Sequence, residues 1–119
     1  MSRVRNVLIV EDEPLIAMML EDFLDSLGHK VIASVESLGE AMTAVDNGGF
    51  DLAVLDVNLK GESVWPVATR LREQGVSFLL ATGGHVDPPP SEFRDTALLE
   101  KPYTLDRVSK VISEIADGA

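Results

Sequence analysis

The chain alternates short apolar runs with segments whose apolar residues recur at helical spacing. Val7-Leu8-Ile9-Val10, Leu52-Ala53-Val54-Leu55 and Phe78-Leu79-Leu80-Ala81 are continuous hydrophobic runs, as expected of strands buried on both faces. Lys30 to Val35 and about Ala97 to Leu99 read as two further strands. Between the first two strands, Ile16, Leu20, Phe23, Leu24 and Leu27 form one apolar stripe, with Pro14 in the opening turn and Gly28 at the close. Ser37-Leu38-Gly39-Glu40 has the spacing of a capping box. Behind it Leu38, Ala41, Met42 and Val45 face inward, and Asn47-Gly48-Gly49 stops the helix. A third helix is predicted near Ser63 to Arg72, with Pro66 tolerable in its first turn. A last helix, capped by Thr104, is expected to bury Leu105, Val108, Ile112 and Ile115.

Strands alternating with helices predict βαβ units, hence an α/β fold: a doubly wound, five-stranded parallel sheet with about five helices. One segment departs from the pattern. Between Thr82 and Thr96 lie Gly83-Gly84 and Pro88-Pro89-Pro90. Consecutive prolines remove amide donors and favour polyproline II, so the fourth helix is expected to be irregular or shortened, at most a short turn around Ser91 to Asp95.

Composition narrows the class. The 119 residues, 1–119, suit one domain, and the absence of cysteine excludes a disulfide framework or thiolate metal site. No apolar run is long enough to cross a bilayer, and Met1 to Asn6 is too short and polar for a secretory signal. A cytoplasmic protein with no membrane association is expected. The net charge of −10 argues against direct nucleic-acid binding, which needs a basic footprint, and fits cations and basic protein partners.

In open parallel sheets, ligands bind outside the carboxyl ends of the strands. Glu11 and Asp12, Asp56, Thr82 and Lys101 stand at such ends on four different strands. Magnesium takes oxygen ligands and relieves the repulsion of clustered carboxylates. An aspartate beside it can attack a phosphoryl group and hold it as an acyl phosphate. A lysine balances the added charge, and a threonine hydroxyl bonds a phosphoryl oxygen. Each residue alone also fits a plain role: Glu11-Asp12-Glu13 as helix caps, Asp56 as a turn residue, Thr82 as a strand end, Lys101-Pro102 as a turn.

Val10-Glu11-Asp12-Glu13-Pro14, Leu55-Asp56-Val57-Asn58-Leu59-Lys60-Gly61, Ala81-Thr82-Gly83 and Glu100-Lys101-Pro102-Tyr103 together resemble the receiver domain of two-component response regulators, over essentially the whole chain. The resemblance implies a flavodoxin-like sheet of order 2-1-3-4-5. It implies that Asp56 is the phosphoacceptor, that Glu11, Asp12, Asp56 and the carbonyl of Asn58 hold Mg2+, and that Thr82 and Lys101 are the switch hydroxyl and lysine. It also implies a histidine kinase or histidine phosphotransfer protein as phosphodonor, with a downstream protein target. Ser77 to Gly84 and the proline-bearing loop resemble the FATGUY subgroup of alphaproteobacterial receivers, many of which stand alone.

Two features depart from the family pattern. Receivers commonly carry tyrosine or phenylalanine three residues before the lysine, where this chain has Leu98. Tyr103 instead follows the proline and reads as a core wedge under the last helix. Among other residues, His85 reads as a solvated loop histidine, His29 as a cation at a helix end, and Trp65 as either a partner anchor or a partly buried ring. The expected function is a stand-alone phosphoacceptor that signals by protein contact or serves as a phosphate sink. Two alternatives stay open. One is a pseudo-receiver that binds without phosphorylation. The other is a magnesium-dependent phosphatase of the haloacid-dehalogenase type, which would need an acid where Asn58 stands.

Overall fold

A computed structural model describes residues 4–59, 61–82, 90–93, 96–100 and 103–117. The order is β1 (Asn6–Val10), α1 (Pro14–Ser26), β2 (Lys30–Val35), α2 (Leu38–Asn47), β3 (Leu52–Asp56), β4 (Asn58–Leu59), β5 (Glu62–Ser63), α3 (Trp65–Glu73), β6 (Ser77–Thr82), a 3-10 turn (Ser91–Phe93), β7 (Leu98–Glu100) and α4 (Leu105–Asp117). Five parallel strands form one sheet in the order β2-β1-β3-β6-β7. That is the expected 2-1-3-4-5 once the separate β4-β5 hairpin is set aside.

Alternation along each strand divides the core into two layers. Val7, Ile9, Leu52, Val54 and Leu79 pack with Leu20 and Leu24 of α1 and Val108 and Ile112 of α4. Leu8, Val10, Ala53, Leu55 and Leu80 face the other way, against Ala41 and Val45 of α2 and Val67, Ala68 and Leu71 of α3. Every residue of the central β3 is buried. Full burial on both faces explains why the strands read as continuous apolar runs.

Local chemistry sets the helix starts. The Ser37 hydroxyl accepts from the Glu40 amide at 3.2 Å, while the Glu40 carboxylate reaches back to the Glu36 amide at 3.0 Å. The capping box therefore forms with its return bond one residue earlier than the standard pattern. Thr104 caps α4 by accepting from the Arg107 amide at 3.1 Å.

Several expectations are corrected. The described residues hold four α-helices rather than about five, while the short turn expected around Ser91 to Asp95 is found as the 3-10 turn Ser91–Phe93. The third helix begins at Trp65, not Ser63, because Glu62 and Ser63 pair antiparallel with Leu59 and Asn58. Gly61, at φ 86°, takes the left-handed turn between them. Leu105 lies in the first turn of α4 and is exposed rather than buried, whereas Val111 packs against the core.

The 3-10 turn delivers one ring in place of a helical stripe. Phe93 is fully buried, stacked on the half-buried Trp65 with centroids 5.4 Å apart and planes 13° apart. Phe78 meets it edge-on at 6.0 Å, and the Arg72 guanidinium lies 4.5 Å over its face while bonding the Glu92 carbonyl. Trp65 is thus held inside the fold.

At the opposite edge of the sheet His29 is buried, and its Nδ1 accepts the Arg5 amide at 3.0 Å. The Lys30 amide returns to the Arg5 carbonyl at 2.9 Å, and the Asn6 amide donates to Asp51 at 2.9 Å. An acceptor nitrogen requires a neutral ring, so His29 does not act as the expected helix-end cation. Burial and then the nearby Arg5 lower its pKa, with Asp51 opposing them.

Two outcomes are expected. Phe93→Ala lowers the unfolding free energy by about 3–5 kcal/mol, the usual range for a buried phenylalanine, as read by urea denaturation. A histidine whose folded pKa is depressed binds more protons when unfolded. Its stabilising contribution is therefore complete above about pH 6.5 and is lost as pH falls towards the folded value. Melting curves of His29→Asn, which keeps an acceptor near the Nδ1 position, are expected to fall less steeply with acidification over that window than wild type.

Candidate functional site

The strand register gathers the site. Val10 pairs with Leu55, and Asp56 pairs with Ala81. Three neighbouring strands therefore end almost level. Glu11 and Asp12 leave β1, Asp56 closes β3, and Thr82 closes β6 one residue beyond the partner of Asp56. Glu11, Asp12 and Asp56 each offer a carboxylate oxygen, all within 4.8 Å of one another. Glu11 and Asp56 are buried and Asp12 is half-buried.

Backbone amides fix the edge of this cluster. The Glu11 amide donates to the Val35 carbonyl at 3.0 Å, tying β1 to β2 as the chain turns. Glu11 Oε2 accepts from the Glu13 amide at 3.2 Å. Glu13 holds the N-cap position of α1 without a side-chain cap bond, so the acidic run does not serve as a helix cap in the ordinary way.

The donor set suits a hard divalent cation. Opposite oxygens around an octahedral magnesium stand ~4.2 Å apart, close to the spread of these three. Such a cation, when bound, would neutralise the cluster and draw charge from a phosphoryl oxygen. Glu11, Asp12 and Asp56 would hold it.

Beyond Asp56 the backbone is tightly tied. The Val57 amide donates to the Ala81 carbonyl at 3.2 Å, and the Val64 amide to the Val57 carbonyl at 3.3 Å. Leu59 and Val64 are buried. Asn58 lies in the hairpin bracketed by Val57 and Val64, its backbone paired with Ser63. Thr82 pairs with Glu100 of β7. Lys101, the next residue in sequence, lies outside the described residues, as do Gly83, Gly84, His85 and Pro102. Leu98, at the position where receivers carry an aromatic, is 49% exposed.

Tyr103 is the group that sequence reasoning undervalued. Its ring is indeed buried in the core layer shared with α1 and α4. Its phenol, however, lies within electrostatic reach of the Glu11 and Asp56 carboxylates. Burial first, then the charges of Glu11 and Asp56, push the phenol well above its usual range, so it stays a donor. The signal available in sequence was that a buried phenol normally needs a polar partner.

Clustered carboxylates and a strand-end threonine at one edge of a parallel sheet with helices on both faces suit the receiver class of α/β domain, and comparison with known proteins agrees. Residues 7–112 match the response regulator receiver domain. The chain belongs to that family. The solution structure of SdrG from Sphingomonas melonis Fr1 is 47% identical over 97% of this chain and 98% of that one, with a TM-score of 0.86. A BeF3-activated conformation of SdrG, also 47% identical, covers 95% of this chain and 97% of that one at a TM-score of 0.80. The transcriptional regulatory protein TcrA of Mycobacterium tuberculosis is 36% identical over 86% of this chain and 42% of its own length. The chain spans less than half the length of the curated relatives it matches. Among the described residues, no helix is long and apolar enough to cross a membrane.

Magnesium at one hundred times its Kd is expected to raise the unfolding free energy by about 2.7 kcal/mol. Asp12→Asn, which removes one charged donor, is expected to shrink that gain at the same concentration. Thermal melting with and without chelator reads both.

Proposed function

We propose that this receiver domain accepts a phosphoryl group onto Asp56 in a magnesium-dependent reaction and signals through protein contact or as a phosphate sink in a relay. The observation that carries the reading is the buried Asp56 carboxylate at the end of the central strand, with two more carboxylates within 4.8 Å. The likeness to SdrG, for which a BeF3-activated conformation is known, supports it.

The phosphodonor is a phosphohistidine on a histidine kinase or phosphotransfer protein. An Asp56 carboxylate oxygen attacks phosphorus, the P–N bond breaks as the P–O bond forms, and the imidazole leaves with its electron pair and takes up a proton. Glu11, Asp12, Asp56 and the Asn58 carbonyl are the ligands we assign to Mg2+. Thr82 donates its hydroxyl to a phosphoryl oxygen, and Lys101 offsets the added charge. Exposed Leu15, Met18 and Met19 on α1, directly after the acidic pair, supply apolar surface on which a partner can seat. We place the protein in the cytoplasm, acting without direct nucleic-acid contact, as its charge of −10 suggests. We take its mode of action to be stand-alone, following the resemblance of Ser77 to Gly84 and the proline-bearing loop to the FATGUY subgroup.

A second reading, a binding module in which phosphorylation is idle, is favoured by Leu98, whose aliphatic side chain supplies neither ring nor hydroxyl, and by the proline-bearing loop between Thr82 and Thr96. Intact mass distinguishes the two. Incubated with Mg2+ and a small-molecule phosphodonor, the wild type is expected to gain one phosphoryl group and Asp56→Asn none. If neither gains mass, even with a cognate kinase, while Mg2+ still binds, the binding-module reading replaces this one.

A further inference from the structure

Two segments of the chain, one following Asp56 and one preceding β7, meet ring to ring. Asp56 closes β3, and Val57 behind it has both backbone polar groups engaged. Its amide donates to the Ala81 carbonyl at 3.2 Å, and its carbonyl accepts the Val64 amide at 3.3 Å. The hairpin between Val57 and Val64 is closed by the pairs Asn58–Ser63 and Leu59–Glu62. Val64 is buried and is the N-cap of α3, so Trp65 is the first residue of that helix. The indole thus hangs from the acceptor strand through one short paired segment.

Its partner ring comes from the other segment. Phe93 ends the Ser91–Phe93 turn and is buried, its centroid 5.4 Å from that of Trp65 with planes 13° apart. The Phe93 amide donates to the Pro90 carbonyl at 2.8 Å, and the Thr96 amide to the Phe93 carbonyl at 3.1 Å. Ala97, next in sequence, accepts the Leu80 amide of β6 at 2.9 Å. Ser91 and Glu92, beside the buried ring, are exposed.

A phosphoryl group on Asp56 adds about two negative charges. Because Val57 is bonded on both sides, a displacement of the acceptor backbone carries Val64, and with it Trp65. Stacked rings are held by their faces rather than by directed bonds, so a shift of one passes to the other with no bond broken. Chains of hydrogen bonds and packed side chains couple distant places when they have two arrangements. We propose that the Trp65–Phe93 stack is a conformational relay that carries the state of Asp56 to the Ser91–Phe93 turn, where Ser91 and Glu92 present it to a partner. The relay runs beside the Thr82–Glu100 pairing of β6 and β7 and does not pass through it. It rests on the phosphoacceptor reading made above.

Beryllium fluoride with Mg2+ serves as the phosphoryl mimic on the full chain, read by proton–nitrogen correlation spectra. In wild type the amides of Asp56, Val57, Phe93 and Thr96 are expected to shift, together with the indole N–H of Trp65, the only tryptophan in the chain. Trp65→Leu keeps an apolar side chain at a half-buried position but leaves no ring to stack. In that variant the Asp56, Val57 and Thr82 amides are expected to shift as in wild type, whereas the Phe93 and Thr96 shifts are lost. Retention of the Phe93 and Thr96 shifts in Trp65→Leu overturns the relay. A wild-type indole that stays fixed while Asp56 and Val57 respond overturns it without recourse to any variant. An indole shift that persists in Asp56→Asn also overturns it, because the signal then does not start at the acceptor. If the wild-type Asp56 and Val57 amides do not respond at all, the phosphoacceptor reading fails, and the relay with it.

Discussion

Mutual repulsion among Glu11, Asp12 and Asp56 is the constraint around which the C-terminal edge of the sheet is organised. Unit charges 4.8 Å apart repel by roughly 3.5 kcal/mol at an effective dielectric constant of ~20, and burial of Glu11 and Asp56 removes water that would screen them. Strands packed on both faces supply a base rigid enough to hold the acids together. A donor from the chain itself, the Glu13 amide, meets part of the charge on Glu11. Under the proposed function, a divalent cation and then a phosphoryl group would act on what is left.

The two ends of the sheet use polar groups differently. At the N-terminal edge a neutral His29 is consumed by a fixed backbone bond from Arg5, and Asp51 by one from Asn6. These bonds pin the starts of adjacent strands and leave the register, hence the level at which β1, β3 and β6 finish, little freedom. At the other edge the acids are placed where a mobile ion or a transferred group can meet them. Stability and chemistry therefore draw on the same residue types at opposite ends of the same strands.

Much of this was legible in the residues. Strands buried on both faces appear as uninterrupted apolar runs, and their ends are marked where the runs stop at Glu11, Asp56 and Thr82. Caps at Ser37 and Thr104 have local signals that survive folding. Other features lack any periodic signature. Two-residue strands such as Asn58–Leu59 and Glu62–Ser63 are too short to alternate, so the hairpin was missed and the third helix was started two residues early. Leu105 fits the helical stripe by spacing, yet a first-turn position lets it project beyond the core. His29 beside a helix end suggests a cation, and only the proximity of the Arg5 amide shows it to be a neutral acceptor. The electrostatic coupling of the Tyr103 phenol to Glu11 joins residues ninety-two positions apart and depends on the packing of a ring, which no spacing encodes.

The aromatic group around Phe93 has a consequence for how such a chain can change. A helix normally shares its burial among four or five side chains, so the loss of one is cushioned by the others. Among the described residues, one ring on a 3-10 turn fills that role, clasped by Trp65, Phe78 and Arg72 from α3 and β6. Tolerance to drift is concentrated accordingly. A smaller ring at one of those four positions therefore demands a larger neighbour at another, or leaves a void that nothing else in the cluster fills.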